Sequence, residues 1–169
     1  MGDNDELLGR VNDVNWFHSI PLRDGLVTPG QDNSMDKLGQ VCLPEDLTGK
    51  TVLDIGAWDG FFSFQAEKNG AKRVLATDHF SWSGPGWGTK DGFNLAHEVL
   101  NSKVESMEID AMAITPENVG KFDVVLFLGV GCSEDHFFLE GLLLLLLVSL
   151  SLIALLARGL ASLRYRLRV

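Results

Sequence analysis

Val52-Leu53-Asp54-Ile55-Gly56-Ala57-Trp58-Asp59-Gly60 is the stretch from which the fold is read. Three apolar residues, Val52, Leu53 and Ile55, surround one acid and run into a turn with two glycines. Phe61-Phe62-Ser63-Phe64 follows, an apolar run of helical character. The order is buried strand, tight turn, helix start. Glycine adopts backbone conformations closed to other residues and lets a ligand approach the main chain. A turn of this kind at the end of a parallel strand suits a nucleoside-containing cofactor.

The flanking sequence repeats the alternation. The first strand covers about 51–55, and a helix over about 60–69 ends at Asn69-Gly70, a C-cap pair. A second strand, Arg73 to Thr77, ends in Asp78. A helix is predicted over about 91–102, with Phe93, Leu95, Ala96, Val99 and Leu100 near helical spacing. A third strand over about 104–109 ends in Asp110. Thr115-Pro116 opens a short helix, and Phe122 to Leu128 is a fourth, central strand. This is an α/β chain with a Rossmann-like, doubly wound parallel sheet of about four strands and right-handed crossovers. Upstream, residues 1–10 are polar and predict a frayed start. Residues 14–30 mix aromatics with turn residues and predict an ordered arm packed on the main domain. The chain thus divides into an N-terminal arm (1–45), a cofactor-binding core (46–130) and a tail (131–169).

Three acids, Asp54, Asp78 and Asp110, stand at three successive strand ends, which share one edge in such a sheet. Asp78, 24 residues after Asp54, is placed to accept from ribose hydroxyls, and Asp110 from an adenine amino group. The plainer alternative, that each acid only caps a strand or helix, weakens when the three fall in register with a glycine turn. A nicotinamide dinucleotide wants a glycine two positions after Gly56, facing the pyrophosphate. Trp58 stands there. An acid two before the first glycine suits a ligand with an amine and no phosphate, and S-adenosylmethionine is such a ligand.

Several segments carry a family resemblance: Trp16 to Pro21, Asp24-Gly25, Thr28 to Gly30, Val52 to Gly60, Ala76 to Asp78, the Trp82 to Gly92 loop and Phe122 to Val130. Over about residues 11–130 the chain resembles class I S-adenosylmethionine-dependent methyltransferases. Within that class it is similar to proteins labelled tRNA 5-methoxyuridine (wobble uridine) methyltransferases. The resemblance implies S-adenosylmethionine, or a carboxylated relative, as cofactor. It implies contacts from Asp54, Gly56, Ala57, Trp58 and Gly60, then Asp78 and His79, then Asp110 and Ala111, with Leu128 and Gly129 lining the site. Trp16 and His18 in the arm, and Trp82 and Trp87 in the glycine-rich loop, are candidate substrate contacts. For His18 the packing role is favoured. For Trp82 and Trp87 a lid over the cofactor and an anchor for the loop weigh equally. The family continues after Gly129-Val130 with Leu-Tyr-His and three more strands, whereas this chain has Gly131-Cys132-Ser133-Glu134-Asp135-His136.

Charge limits the partners. The formal net charge is -9, and residues 1–135 hold 22 of the 23 acids. No basic stripe draws bulk nucleic acid, so an RNA acceptor such as tRNA would be recognised through a local pocket. Cys42 and Cys132 form no metal or disulfide pattern, and the acidic start is no signal peptide; both features fit a cytoplasmic protein. The run Leu142 to Ala157 has 16 apolar or small residues, short of the about 20 needed to span a bilayer. It reads as a short span, as a helix covering the sheet, or as non-native coding after a shifted frame, the reading preferred here with a helical conformation. The expectation is a truncated methyltransferase. A catalytically inactive cofactor-binding or interaction module and a tail-inserted membrane protein are the alternatives. Lost strands would leave apolar surface for self-association.

Overall fold

The computed structural model describes residues 2–41, 43–86 and 88–128. Four parallel strands form one sheet: β1 (Thr51–Ile55), β2 (Arg73–Asp78), β3 (Glu105–Glu108) and β4 (Val124–Phe127), in the order β3-β2-β1-β4. The sheet grows from β1 through β2 to β3, then returns to place β4 on the other side of β1. That reversal puts the topological switch point between β1 and β4, where the carboxyl ends of the strands open a crevice. Register aligns the ends, with Ile55 beside Thr77 and Phe127, and Asp78 beside Glu108.

Strand periodicity sorts β1 between two layers. Val52 and Asp54 face α3 (Phe61–Lys68), and Leu53 and Ile55 face the opposite side. The larger layer joins Val52, Val74, Ala76 and Leu126 to Phe61, Phe64, Phe93 and Ala96. The smaller joins Leu53, Ile55, Leu75 and Val125 to Ile114, Val119 and Phe122. β3 is a polar edge, exposed at Glu105, Ser106 and Glu108, a composition that discourages pairing with another chain. Arg73 forks onto the Glu105 carboxylate from the neighbouring strand at 2.7–3.1 Å.

Two sequence expectations are corrected. The start is not frayed: α1 spans Gly2–Asn12. Leu7 and Val11, four residues apart, are 4 % and 1 % exposed and join the larger layer. The Arg10 guanidinium is bidentate on Glu98 at 2.8 and 2.7 Å. Leu7 and Val11, with Leu8 exposed between them, are too sparse in an acidic stretch to read as an amphipathic stripe. The helix predicted to reach 102 ends earlier, as α4 (Asp91–Val99). Asn101 turns left-handed at φ 49°, and the N–H groups of Asn101 and Ser102 return to Glu98 and His97. That pair of bonds is a Schellman stop with asparagine in the glycine position.

A short α2 (Ser34–Lys37) lies near the end of the arm. A 3₁₀ turn (Ala111–Ala113) and α5 (Pro116–Val119) join β3 to β4. Among the described residues no helix is long and apolar enough to cross a membrane. The Leu142 to Ala157 run and the whole 131–169 tail lie outside the described residues, and so do Cys42 and Cys132.

Candidate cofactor site

The turn after β1 closes on itself through one hydrogen bond, from Gly60 N–H to the Ala57 carbonyl at 2.7 Å, and is otherwise held by its neighbours. Gly56 and Ala57 both donate their N–H to the Thr77 carbonyl, at 2.8 and 3.1 Å, and the Thr77 hydroxyl donates to the Asp54 carbonyl at 3.0 Å. Trp58 is left-handed, φ 45°, a conformation disfavoured for any side chain. Its N–H donates to Asp78 Oδ2 at 3.0 Å, and its carbonyl accepts from Trp82 Nε1 at 2.8 Å. Its ring lies parallel to Phe17, 6° apart in tilt and 4.5 Å between centroids. Gly60 caps α3 at φ 86°, and a Cβ there would fall within 3 Å of Phe64 and Phe93.

Three carboxylates are buried around this turn: Asp54, Asp59 and Asp78, at 3 %, 1 % and 5 % exposure. Burial pushes the Asp54 carboxyl up to about 6, against the Ser63 hydroxyl that donates to it at 2.6 Å. Asp78 accepts from Trp58 N through one oxygen and from Ser81 N, at 2.9 Å, through the other. Asp59 Oδ2 accepts from the backbone N–H groups of Phe17 and His18 at 2.7 and 2.9 Å. Among the described residues, the donors to these three carboxylates are backbone N–H groups and one hydroxyl.

The expected contacts fall into two groups. Asp54, Gly56, Ala57, Trp58, Gly60 and Asp78 form one connected hydrogen-bonded unit. Asp110, exposed at the next strand end, accepts from Met112 N at 2.8 Å and caps the 3₁₀ turn that holds Ala111. His79 is half-exposed, with Nδ1 3.3 Å from Ser83 Oγ and 3.8 Å from Glu108 Oε1. Leu128 is 39 % exposed past the end of β4. Gly129 and Trp87 lie outside the described residues.

Two candidate substrate residues occupy core positions. Trp16 is 2 % exposed, with Nε1 on the Val11 carbonyl at 2.8 Å. It has no free face for a substrate. Trp82 is 6 % exposed and packs on Phe93, with Lys90 Nζ 4.2 Å over its ring. Its indole N–H anchors the loop to Trp58, the position of an anchor rather than of a lid. His18 is 7 % exposed at the edge of the turn.

Sequence reading missed Asp59, Ser63 and Ser81. Ser63, nine residues after Asp54, carries a weak signal as a polar residue inside an apolar helix start. Asp59 carries none, because its partners lie more than 40 positions away. Two clefts of about 330 and 300 Å³ flank α1, and none of their lining residues is among the candidate contacts.

No protein-family model matches the sequence, and no curated protein matches it. Solved structures do. The N-terminal domain of EvdMO1, solved in the presence of SAH and D-fucose, matches with a TM-score of 0.58 at 17% identity. The match covers 77% of this chain and 55% of that one. PH1948 of Pyrococcus horikoshii, described as a candidate RNA methyltransferase, matches with a TM-score of 0.51 at 20% identity, over 86% of this chain and 69% of that one. The chain shares with these structures a Rossmann-like fold, a four-stranded parallel sheet with flanking helices. The EvdMO1 match spans little more than half of that chain. In a doubly wound sheet of this strand order, the hydrogen-bonded unit around Gly56 stands beside the switch point where a ligand crevice is expected.

Proposed function

We propose that the chain binds S-adenosylmethionine at the carboxyl ends of β1, β2 and β3 and transfers its methyl group. The observation that supports this best is the set of acids around one glycine turn: Asp54 and Asp78 buried and linked through it, and Asp110 at the adjacent strand end. A site whose buried side chains are carboxylates disfavours a pyrophosphate and favours a ligand with an ammonium, a sulfonium and ribose hydroxyls. Asp54 and the turn backbone would hold the methionine end, Asp78 the ribose, and Asp110 with Ala111 the adenine edge. His79, Leu128 and Gly129 would line the adenine side. When bound, the cofactor supplies an activated methyl on a sulfonium. The protein's task is alignment of the acceptor with that methyl.

The acceptor we favour is an RNA base, with wobble uridine of tRNA as the specific case. Support comes from the segments that resemble wobble-uridine methyltransferases and from the likeness in fold to PH1948. The acidic surface assigns recognition to local contacts rather than to long-range attraction.

Calorimetric titration with S-adenosylhomocysteine, and with a nicotinamide dinucleotide as control, tests the cofactor. S-adenosylhomocysteine should bind, and Asp78→Ala should weaken it about tenfold or more, as expected for hydrogen bonds to a charged group. Binding of the dinucleotide alone would refute the reading. Labelled methyl transfer to unfractionated tRNA, followed by nucleoside analysis, tests the acceptor. Cofactor binding with no transfer to tRNA would remove the RNA acceptor and leave the cofactor site standing.

A further inference from the structure

Methylation of a neutral hydroxyl or ring N–H releases a proton, and the arm places a base beside the glycine turn. The His18 imidazole is boxed by Phe17, Phe61 and Phe62, with ring centroids 4.8, 6.1 and 6.0 Å away. Phe61 and Phe62 open α3 directly after Gly60. The imidazole therefore lies against the helix start, on the side of the turn assigned above to the methionine end. Its Nδ1 is sealed from solvent, makes no hydrogen bond and lies 3.6 Å from Asp59 Oδ2. Asp59 Oδ1 is likewise buried without a partner. The residue as a whole keeps 7 % of its surface exposed.

Two buried polar atoms left unsatisfied cost about 1–3 kcal/mol each, and native structures rarely keep them without a use. A carboxylate facing Nδ1 favours the tautomer with the proton on that nitrogen, which leaves the Nε2 lone pair to accept one. The 3.6 Å separation exceeds a hydrogen bond, and catalytic pairs of this kind commonly tighten once a ligand is bound.

We propose that His18 Nε2 is the proton acceptor of the methyl transfer and that Asp59 is the positioning residue that fixes its tautomer. This rests on the methyl-transfer reading above. The acceptor is then a protic oxygen or nitrogen, neutral before reaction. Its lone pair forms the new bond to the methyl carbon, the carbon–sulfur bond pair returns to sulfur, and the acceptor's proton passes to His18 Nε2. The products are the methylated acceptor, a neutral thioether and an imidazolium. The imidazolium returns its proton to water. Among the described residues, the charged groups that face it are Asp59 on the turn, Asp54 at the end of β1, and Asp32, paired with Lys37, across the arm bridge.

The test uses the full chain labelled with ¹⁵N-histidine, free and with S-adenosylhomocysteine, alongside methyl transfer to unfractionated tRNA from about pH 5 to about pH 9. His18→Gln identifies the resonance. The Nδ1–H tautomer should dominate when the ring is neutral, and Asp59→Asn, which can still accept the two arm N–H bonds, should shift it toward Nε2–H. His18→Gln should bind S-adenosylhomocysteine like the wild type, lower kcat by about 10²-fold or more, and lose the acidic limb of the pH profile. A merely structural histidine would not move that limb. An Nε2–H tautomer indifferent to Asp59→Asn overturns the proposal, as does a His18→Gln enzyme with the wild-type rate and profile. Failure of S-adenosylhomocysteine to bind overturns the cofactor reading and the base with it; binding with an unchanged His18→Gln profile overturns the base alone.

Discussion

Asp54→Asn should make the protein more stable at neutral pH while weakening its hold on S-adenosylhomocysteine. The carboxyl is 3 % exposed, and burial raises it from 3.8 in the unfolded chain to about 6. Between those values the unfolded state has lost its proton and the folded state keeps it. The folded state then binds more protons, so stability falls as pH rises through this window and levels off above about 6. Every tenfold change in proton affinity corresponds to about 1.4 kcal/mol, so the wild type should lose about 2.5 kcal/mol between about pH 4 and about pH 7 from this group. Asparagine has nothing to ionise and can still accept from the Ser63 hydroxyl. Urea unfolding of both proteins at several pH values isolates this contribution, because other titrating groups cancel in the difference. The variant should gain on the wild type by about that amount across the window. A difference that stays constant with pH would show that Asp54 titrates normally in the folded state. The reasoning from burial would then be refuted.

Gly60→Ala should cost about 2–4 kcal/mol, because a left-handed backbone and overpacking against Phe64 and Phe93 add; a urea midpoint close to wild type would mean the turn can relax. Val11→Ala should cost about 2 kcal/mol, with amide exchange speeding up in α1 before β1. Uniform loss of protection would argue that α1 folds as one unit with the sheet. Asp78→Asn leaves one of the two loop N–H groups facing an amide NH₂, at about 1–3 kcal/mol. It should also weaken S-adenosylhomocysteine binding, by no more than Asp78→Ala does; intact affinity would exclude a ribose contact.

Short-range features are legible from sequence. The β1 run, the two glycines and the Thr115-Pro116 helix start each declare themselves within a few residues, through period and turn chemistry. Acids at strand ends are legible because the alternation fixes which ends share an edge. α1 is not, since its docking rests on Leu7 and Val11 reaching a core formed later in the chain and on Arg10 meeting Glu98. Trp16, in the aromatic arm, and Trp82, in the glycine-rich loop, are candidate substrate contacts in the sequence because aromatic faces suit bases. Only packing shows that each spends its indole N–H on a main-chain carbonyl. Asp59 is hidden because its two acceptor bonds close a loop of about 40 residues, a separation no local pattern encodes.

Trp58 ties the turn, the glycine-rich loop and the arm together. In the sequence it counts against a dinucleotide because a large ring replaces a glycine. In the structure it takes the left-handed backbone that a glycine would adopt freely, at a strain of about 1–3 kcal/mol. Such strain persists only when the surroundings impose it, and here they do on three sides. Asp78 holds its N–H, Trp82 its carbonyl, and Phe17 its ring. Gly88 leaves room for the indole, since a Cβ there would sit 2.5 Å from Nε1. The next residue, Asp59, then turns inward and takes the arm's N–H groups. A glycine at position 58 would relieve the strain but release the Phe17 stack. The strain is therefore coupled to docking of the arm, and the glycine turn and residues 16–18 behave as one packed unit. A Rossmann-like sheet alone provides the strand ends; in this chain the arm supplies the imidazole and the aromatic face beside them.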